Sequence, residues 1–70
     1  KQTVLTVDYR LMPVFVMLRH IGKLPEKLDF EMVQGSYNLK AGTCQFLIFY
    51  PDEQALFDLG RAIENENPTL

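Results

Sequence analysis

The sequence predicts a small α+β fold with the element order β-α-β-β-α. Three observations carry that prediction. Apolar and polar residues alternate in "QTVLTVDY", "KLDFEMVQ" and "TCQFLIFY", the period of two expected of a strand with one buried face. Apolar residues recur at helical spacing in "LMPVFVMLRHIGKLP" and "PDEQALFDLGRAIENEN". Most glycines and prolines fall at the joins, where one element must end before the next begins.

In the first strand Leu5, Val7 and Tyr9 share one face and Thr6 and Asp8 the other. The stretch from Leu11 fits two geometries. As a helix it presents Leu11, Val14, Phe15, Leu18 and Ile21 as one stripe, and both ends are explained. Asp8 serves as N-cap, Arg19 and His20 meet the negative end of the helix dipole, Gly22 takes the C′ position and Pro25 follows. Pro13 requires the regular helix to begin near Leu11, since proline is tolerated only in the first turn. As a strand, Val14, Val16 and Leu18 would face one way and Phe15 and Met17 the other. The helix accounts better for the termini. The alternative is a mostly antiparallel β domain with residues 12–20 as a strand and one C-terminal helix.

The third element places Leu28, Phe30 and Met32 inward and Asp29 and Glu31 outward. "GSYNLKAG" reads as an exposed connection bounded by Gly35 and Gly42. In the last strand Cys44, Phe46, Ile48 and Tyr50 share a face. The opposite face, Thr43, Gln45, Leu47 and Phe49, is half apolar, as expected nearer the centre of a sheet. The closing helix starts at Pro51, has Asp52 and Glu53 at its first turn, and presents Ala55, Leu56, Leu59, Ala62 and Ile63 as its apolar stripe, with Asp58, Arg61 and Glu64 on the wet side. Gly60 inside this helix costs about 1 kcal/mol relative to alanine, which implies a close approach to the sheet. Two helices on one face of three strands make a ferredoxin-like sheet with its last strand missing or shortened. "PTL" is where such a strand would begin, and without it an edge stays open. Residues 1–66 form one domain and residues 67–70 a tail.

Seventy residues stand near the lower limit for a self-sufficient core. Domains of this size gain stability from disulfides, metals or association. A single cysteine excludes an internal disulfide, and one histidine with one cysteine falls short of the usual tetrahedral zinc set. No cofactor is expected. The longest uninterrupted apolar run, residues 11–18, is well short of the roughly 20 residues of a membrane span. No secretory leader is visible, and with a lone thiol this points to the cytoplasm. The net charge is −2: residues 1–27 carry five basic against two acidic groups, residues 28–70 two against seven. An acidic total disfavours general nucleic-acid binding, although Arg10, Arg19, Lys23 and Lys27 near Tyr9 and Phe15 leave room for a weak local contact.

Candidate chemistry is thin. His20 reads as a helix-terminal residue interacting with the dipole, and Cys44, in phase with Phe46 and Ile48, as a small buried apolar residue. "YPDE" is capping chemistry, Asp29 and Glu31 share a solvent face, and "GSYNLKAG" lacks the spacing of a phosphate-binding loop. No nucleophile, base and stabiliser can be assembled, so no enzyme is expected. What remains is an apolar excess between Leu11 and Ile21, where Met12, Val16 and Met17 project outside the helical stripe. The expected function is a protein-protein interaction module, a small adaptor, inhibitor or regulatory subunit, acting through that helix face or an open sheet edge on a protein partner or on itself as a homo-oligomer. The residues expected at the contact are Met12, Val16, Met17, Arg19, Lys23 and Tyr37. The alternative is a regulatory domain that senses a small molecule bound between protomers.

Overall fold

Strand β1, Gln2–Asp8, extends over the alternating stretch, with Leu5 and Val7 packed against the core and Val4 turned to solvent. Asp8 ends it. Its Oδ1 accepts the Arg10 N–H at 2.9 Å, which starts a single 3-10 turn over Tyr9–Leu11. The regular helix α1, Met12–His20, begins only there, so Pro13 falls in the first turn, where its missing N–H leaves no helical bond unmade. The computed structural model describes residues 1–66, which also include strands β2, Asp29–Met32, and β3, Thr43–Phe49, and helix α2, Glu53–Glu66.

Helix α1 stops in a Schellman arrangement. Gly22, at φ 73°, donates to the Arg19 carbonyl at 3.3 Å and Lys23 donates to the Leu18 carbonyl at 2.9 Å. A stretch that could have been a strand is therefore a helix with a capped C-terminus, while Asp8, expected as its N-cap, caps the preceding 3-10 turn and α1 itself starts after Leu11 without a side-chain cap. Asp52 caps α2: its Oδ1 accepts the Ala55 N–H at 3.0 Å, and Glu53 lies in the favourable first turn.

The sheet has the order β1-β3-β2 with both pairings antiparallel. β1 and β2 are joined through α1 and flank β3, a split β-α-β arrangement, and the chain is a small α+β fold. Three rings fill the space under α1. Phe15 stacks on Phe46 at 4.5 Å between centroids, and Phe30 meets each of them edge-on at 5.4 Å. Leu18, Leu28, Cys44, Ile48, Ala55 and Leu59 complete the buried cluster.

Three further expectations need correction. Met32 was expected to face inward, but β2 stops at this residue and leaves it 38% exposed. Tyr9 leaves the inner face of β1 because it belongs to the 3-10 turn, and its ring lies 5.7 Å from that of Tyr37. Gly60 does not approach the sheet: among the described residues, and apart from its own helix backbone, nothing lies within 4 Å of where its Cβ would stand. The expected tail and the start of a last strand, residues 67–70, lie outside the described residues.

Gly60 inside α2 and Gly22 just beyond α1 should consequently respond in opposite directions to alanine. Gly60→Ala removes backbone freedom from the unfolded chain and is expected to gain about 0.5–1 kcal/mol. Gly22→Ala forces an L side chain into the left-handed region and should lose about 1–2 kcal/mol. Thermal unfolding at low protein concentration checks both, with one midpoint rising by several degrees and the other falling.

Candidate functional site

Helix α1 sends only part of its surface into the core. Phe15 and Leu18 are fully buried, and Leu11 and Val14 pack at the margin of the cluster. The fold is two layers deep, so among the described residues no other element covers the helix on its far side. On that side Met12, Pro13, Val16, Met17 and His20 line an open groove of about 580 Å³. Val16 is 48% exposed, Pro13 and His20 are exposed, and Met12 and Met17 are half-buried. Four of the five lining residues are apolar, and two are methionines, whose flexible thioethers adapt to differently shaped contacts.

Of the residues expected at a contact, Met12, Val16 and Met17 thus come together. Arg19 does not join them. Its guanidinium lies 4.5 Å from the Phe30 ring centroid, donates to the Phe30 carbonyl at 3.4 Å and approaches Asp29 at 3.8 Å, so it covers the edge of β2. Lys23 reaches Glu66 at the end of α2, 3.2 Å away, and Tyr37 lies in the β2–β3 loop against Tyr9. Pro13 and His20 were not foreseen as lining residues because each was read for its role at a helix terminus. The signal was present: Pro13, Val16, Met17 and His20 follow helical spacing on the arc opposite Phe15 and Leu18.

Compared with known protein families, curated proteins and solved structures, the chain matches none.

A second apolar strip crosses the outer face of the sheet, where Val4 pairs with Leu47 and Gln2 with Phe49. Asp29 and Glu31, paired with Phe49 and Leu47 across β3, give that strip an acidic border. Four basic side chains are held apart by separate acids: Lys1 binds Glu53 at 2.9 Å, Arg10 binds Asp8 at 2.6 Å, and Arg19 and Lys23 have the partners already given. Among the described residues no helix is long and apolar enough to cross a membrane, and no three histidine, cysteine or acidic side chains converge as metal ligands. Burial pushes the Cys44 thiol up, away from the thiolate that nucleophilic chemistry requires.

Asp8 is the titrating group that the fold perturbs most clearly. The hydrogen bonds from the Arg10 side chain and backbone hold its carboxyl down at about 2. An unfolded aspartate titrates near 3.9, so between these values the unfolded chain binds the extra proton and stability rises with pH. The contribution is complete above about pH 4 and is lost as pH falls through about 2. Urea midpoints measured from pH 5 to pH 2 should fall more steeply for the wild type than for Asp8→Asn.

Proposed function

We propose that the chain is a non-enzymatic interaction module whose α1 groove receives an apolar segment of a protein partner. One observation carries this reading: Pro13, Val16 and Met17, with Met12 at the margin where it also packs against the core, form a continuous apolar surface on the side of α1 away from its buried Phe15 and Leu18. Apolar side chains kept adjacent outside the buried stripe are what a partner surface requires. His20 at the end of the groove supplies a polar group that can orient the incoming segment.

The test compares the wild type with Val16→Lys/Met17→Lys as baits in lysate of the native cell. A protein retained by the wild type and lost by the variant, at equal circular dichroism and thermal midpoint, supports the reading. Equal retention by both overturns it.

A further inference from the structure

The edge of β1 differs from the edge of β2 in a way that concerns association. β2 is short, carries two outward acids, and has the Arg19 guanidinium on its outward Phe30 carbonyl. These features deter pairing with another chain. β1 has none of them: between Gln2 and Val7 there is no charge and no proline, and Thr, Val and Leu all suit an extended strand.

Its hydrogen-bond phase shows what the edge offers. Lys1 and Tyr50 exchange two bonds of 3.0 Å, and Tyr9 donates to the Gly42 carbonyl at 3.0 Å. In an antiparallel pair such residues alternate, so Lys1, Thr3, Leu5, Val7 and Tyr9 turn their backbone groups toward β3. Gln2, Val4 and Thr6 turn theirs away from the sheet. Among the described residues nothing hydrogen-bonds to these outward groups.

Helix α2 adds an apolar flank on the same side. Glu53, Leu56, Gly60 and Ile63 follow each other at helical spacing, and Glu53 marks the side because it reaches Lys1 at the start of β1. Leu56 and Ile63 are only partly buried, and the space beside Gly60 is open. The opposite flank, with Gln54 and Asp58, is the one that faces Pro25, Glu26 and Lys27 beyond α1.

We propose that a second copy of this chain pairs with β1, antiparallel and centred on Leu5, to form a continuous six-stranded sheet. The strand is suited to meet itself. In this register Gln2 faces Asp8 and Val4 faces Thr6 in the hydrogen-bonded pairs, Thr3 faces Val7 and Leu5 faces Leu5 in the others, and no charge opposes a like charge. An even-numbered register keeps the helices of both copies on one side. It therefore sets Leu56 and Ile63 against their counterparts, with Gly60 allowing the helices to come close. The outer-face strips through Val4 and Leu47 also become continuous. This surface is separate from the α1 groove, so the proposal stands or falls independently of the function proposed above.

Sedimentation velocity of the 70-residue chain over a concentration series, together with the same series for Val4→Pro, tests it. Proline at this position removes an outward N–H and no bond of the β1–β3 ladder, so the monomer should keep its fold. The expected result is a wild-type sedimentation coefficient that rises with concentration, a flat profile for Val4→Pro, and an unchanged rise for Val16→Lys/Met17→Lys. Leu5→Cys in a Cys44→Ala background should also oxidise to a disulfide-linked dimer, because residues opposite each other in a non-hydrogen-bonded pair lie within disulfide reach, whereas Val4→Cys in that background should not. A wild type that stays monomeric up to about 1 mM overturns the proposal. So does self-association that Val4→Pro leaves intact, or that Val16→Lys/Met17→Lys abolishes.

Discussion

Phe46→Ala is expected to remove about 3–5 kcal/mol, a large share of the chain's stability at 25 °C. Phe46 is 1% exposed, stacks on Phe15 and meets the edge of Phe30, so its removal strips two ring contacts as well as its own burial. Phenylalanine-to-alanine changes in a packed core cost about 3–5 kcal/mol, and partial collapse of the surroundings does not recover it. A domain of this length has a total stability on the order of 4–10 kcal/mol. β3 is the central strand and both its neighbours pair with it, so no smaller unit can form around the cavity. Urea titration followed by far-ultraviolet circular dichroism checks the expectation. Phe57→Ala is the control, since that ring is 62% exposed and its loss should change stability by no more than about 0.5 kcal/mol. Equal midpoints for the two variants would show that the aromatic cluster does not hold the sheet and α1 together.

The elements were legible in the sequence wherever a local rule and the tertiary demand coincided. The alternation of β3 matches its burial, with Cys44, Phe46 and Ile48 buried, and the half-apolar opposite face pointed to a place nearer the sheet centre, between β1 and β2. The helix α1 was legible for the same reason: Pro13, Gly22 and Pro25 each have one comfortable position relative to a helix, and together they outweighed the β-branched residues between them, although Asp8 caps the preceding 3-10 turn and not the helix. The failures occur where the outcome depends on what stands opposite. Gly60 carries a local cost that a sequence reader assigns to close packing, yet only the third dimension shows that its flank faces open space. Arg19 has the position of a dipole-compensating residue, and nothing in the order of residues says that Phe30 lies 4.5 Å from its guanidinium. For the candidate site, spacing alone separated Met12, Val16 and Met17 from the buried stripe. It could not say whether α2 would cover them, because that depends on the angle at which two helices settle on a sheet.

Val16→Lys/Met17→Lys is expected to weaken partner binding by 100-fold or more while the fold keeps its stability. The two halves of this expectation have different causes. On the free protein Val16 is 48% exposed and Met17 half-buried, so a lysine at either position can extend its ammonium into water while its methylenes cover the surface. Lysine is also the better helix former than valine by a few tenths of a kcal/mol. In the complex the same ammonium groups would lie inside an apolar contact and lose hydration without gaining a carboxylate. Residues at the dry centre of an interface commonly carry 2 kcal/mol or more each, and about 2.7 kcal/mol suffices for a 100-fold loss of affinity. Titration of the captured partner against both proteins measures the ratio, and the thermal midpoint measured alongside separates lost contact from lost structure. A variant that binds within a factor of three of the wild type would place the partner elsewhere, on the sheet edge or its outer face. A variant that melts far below the wild type would instead show that these side chains belong to the core after all.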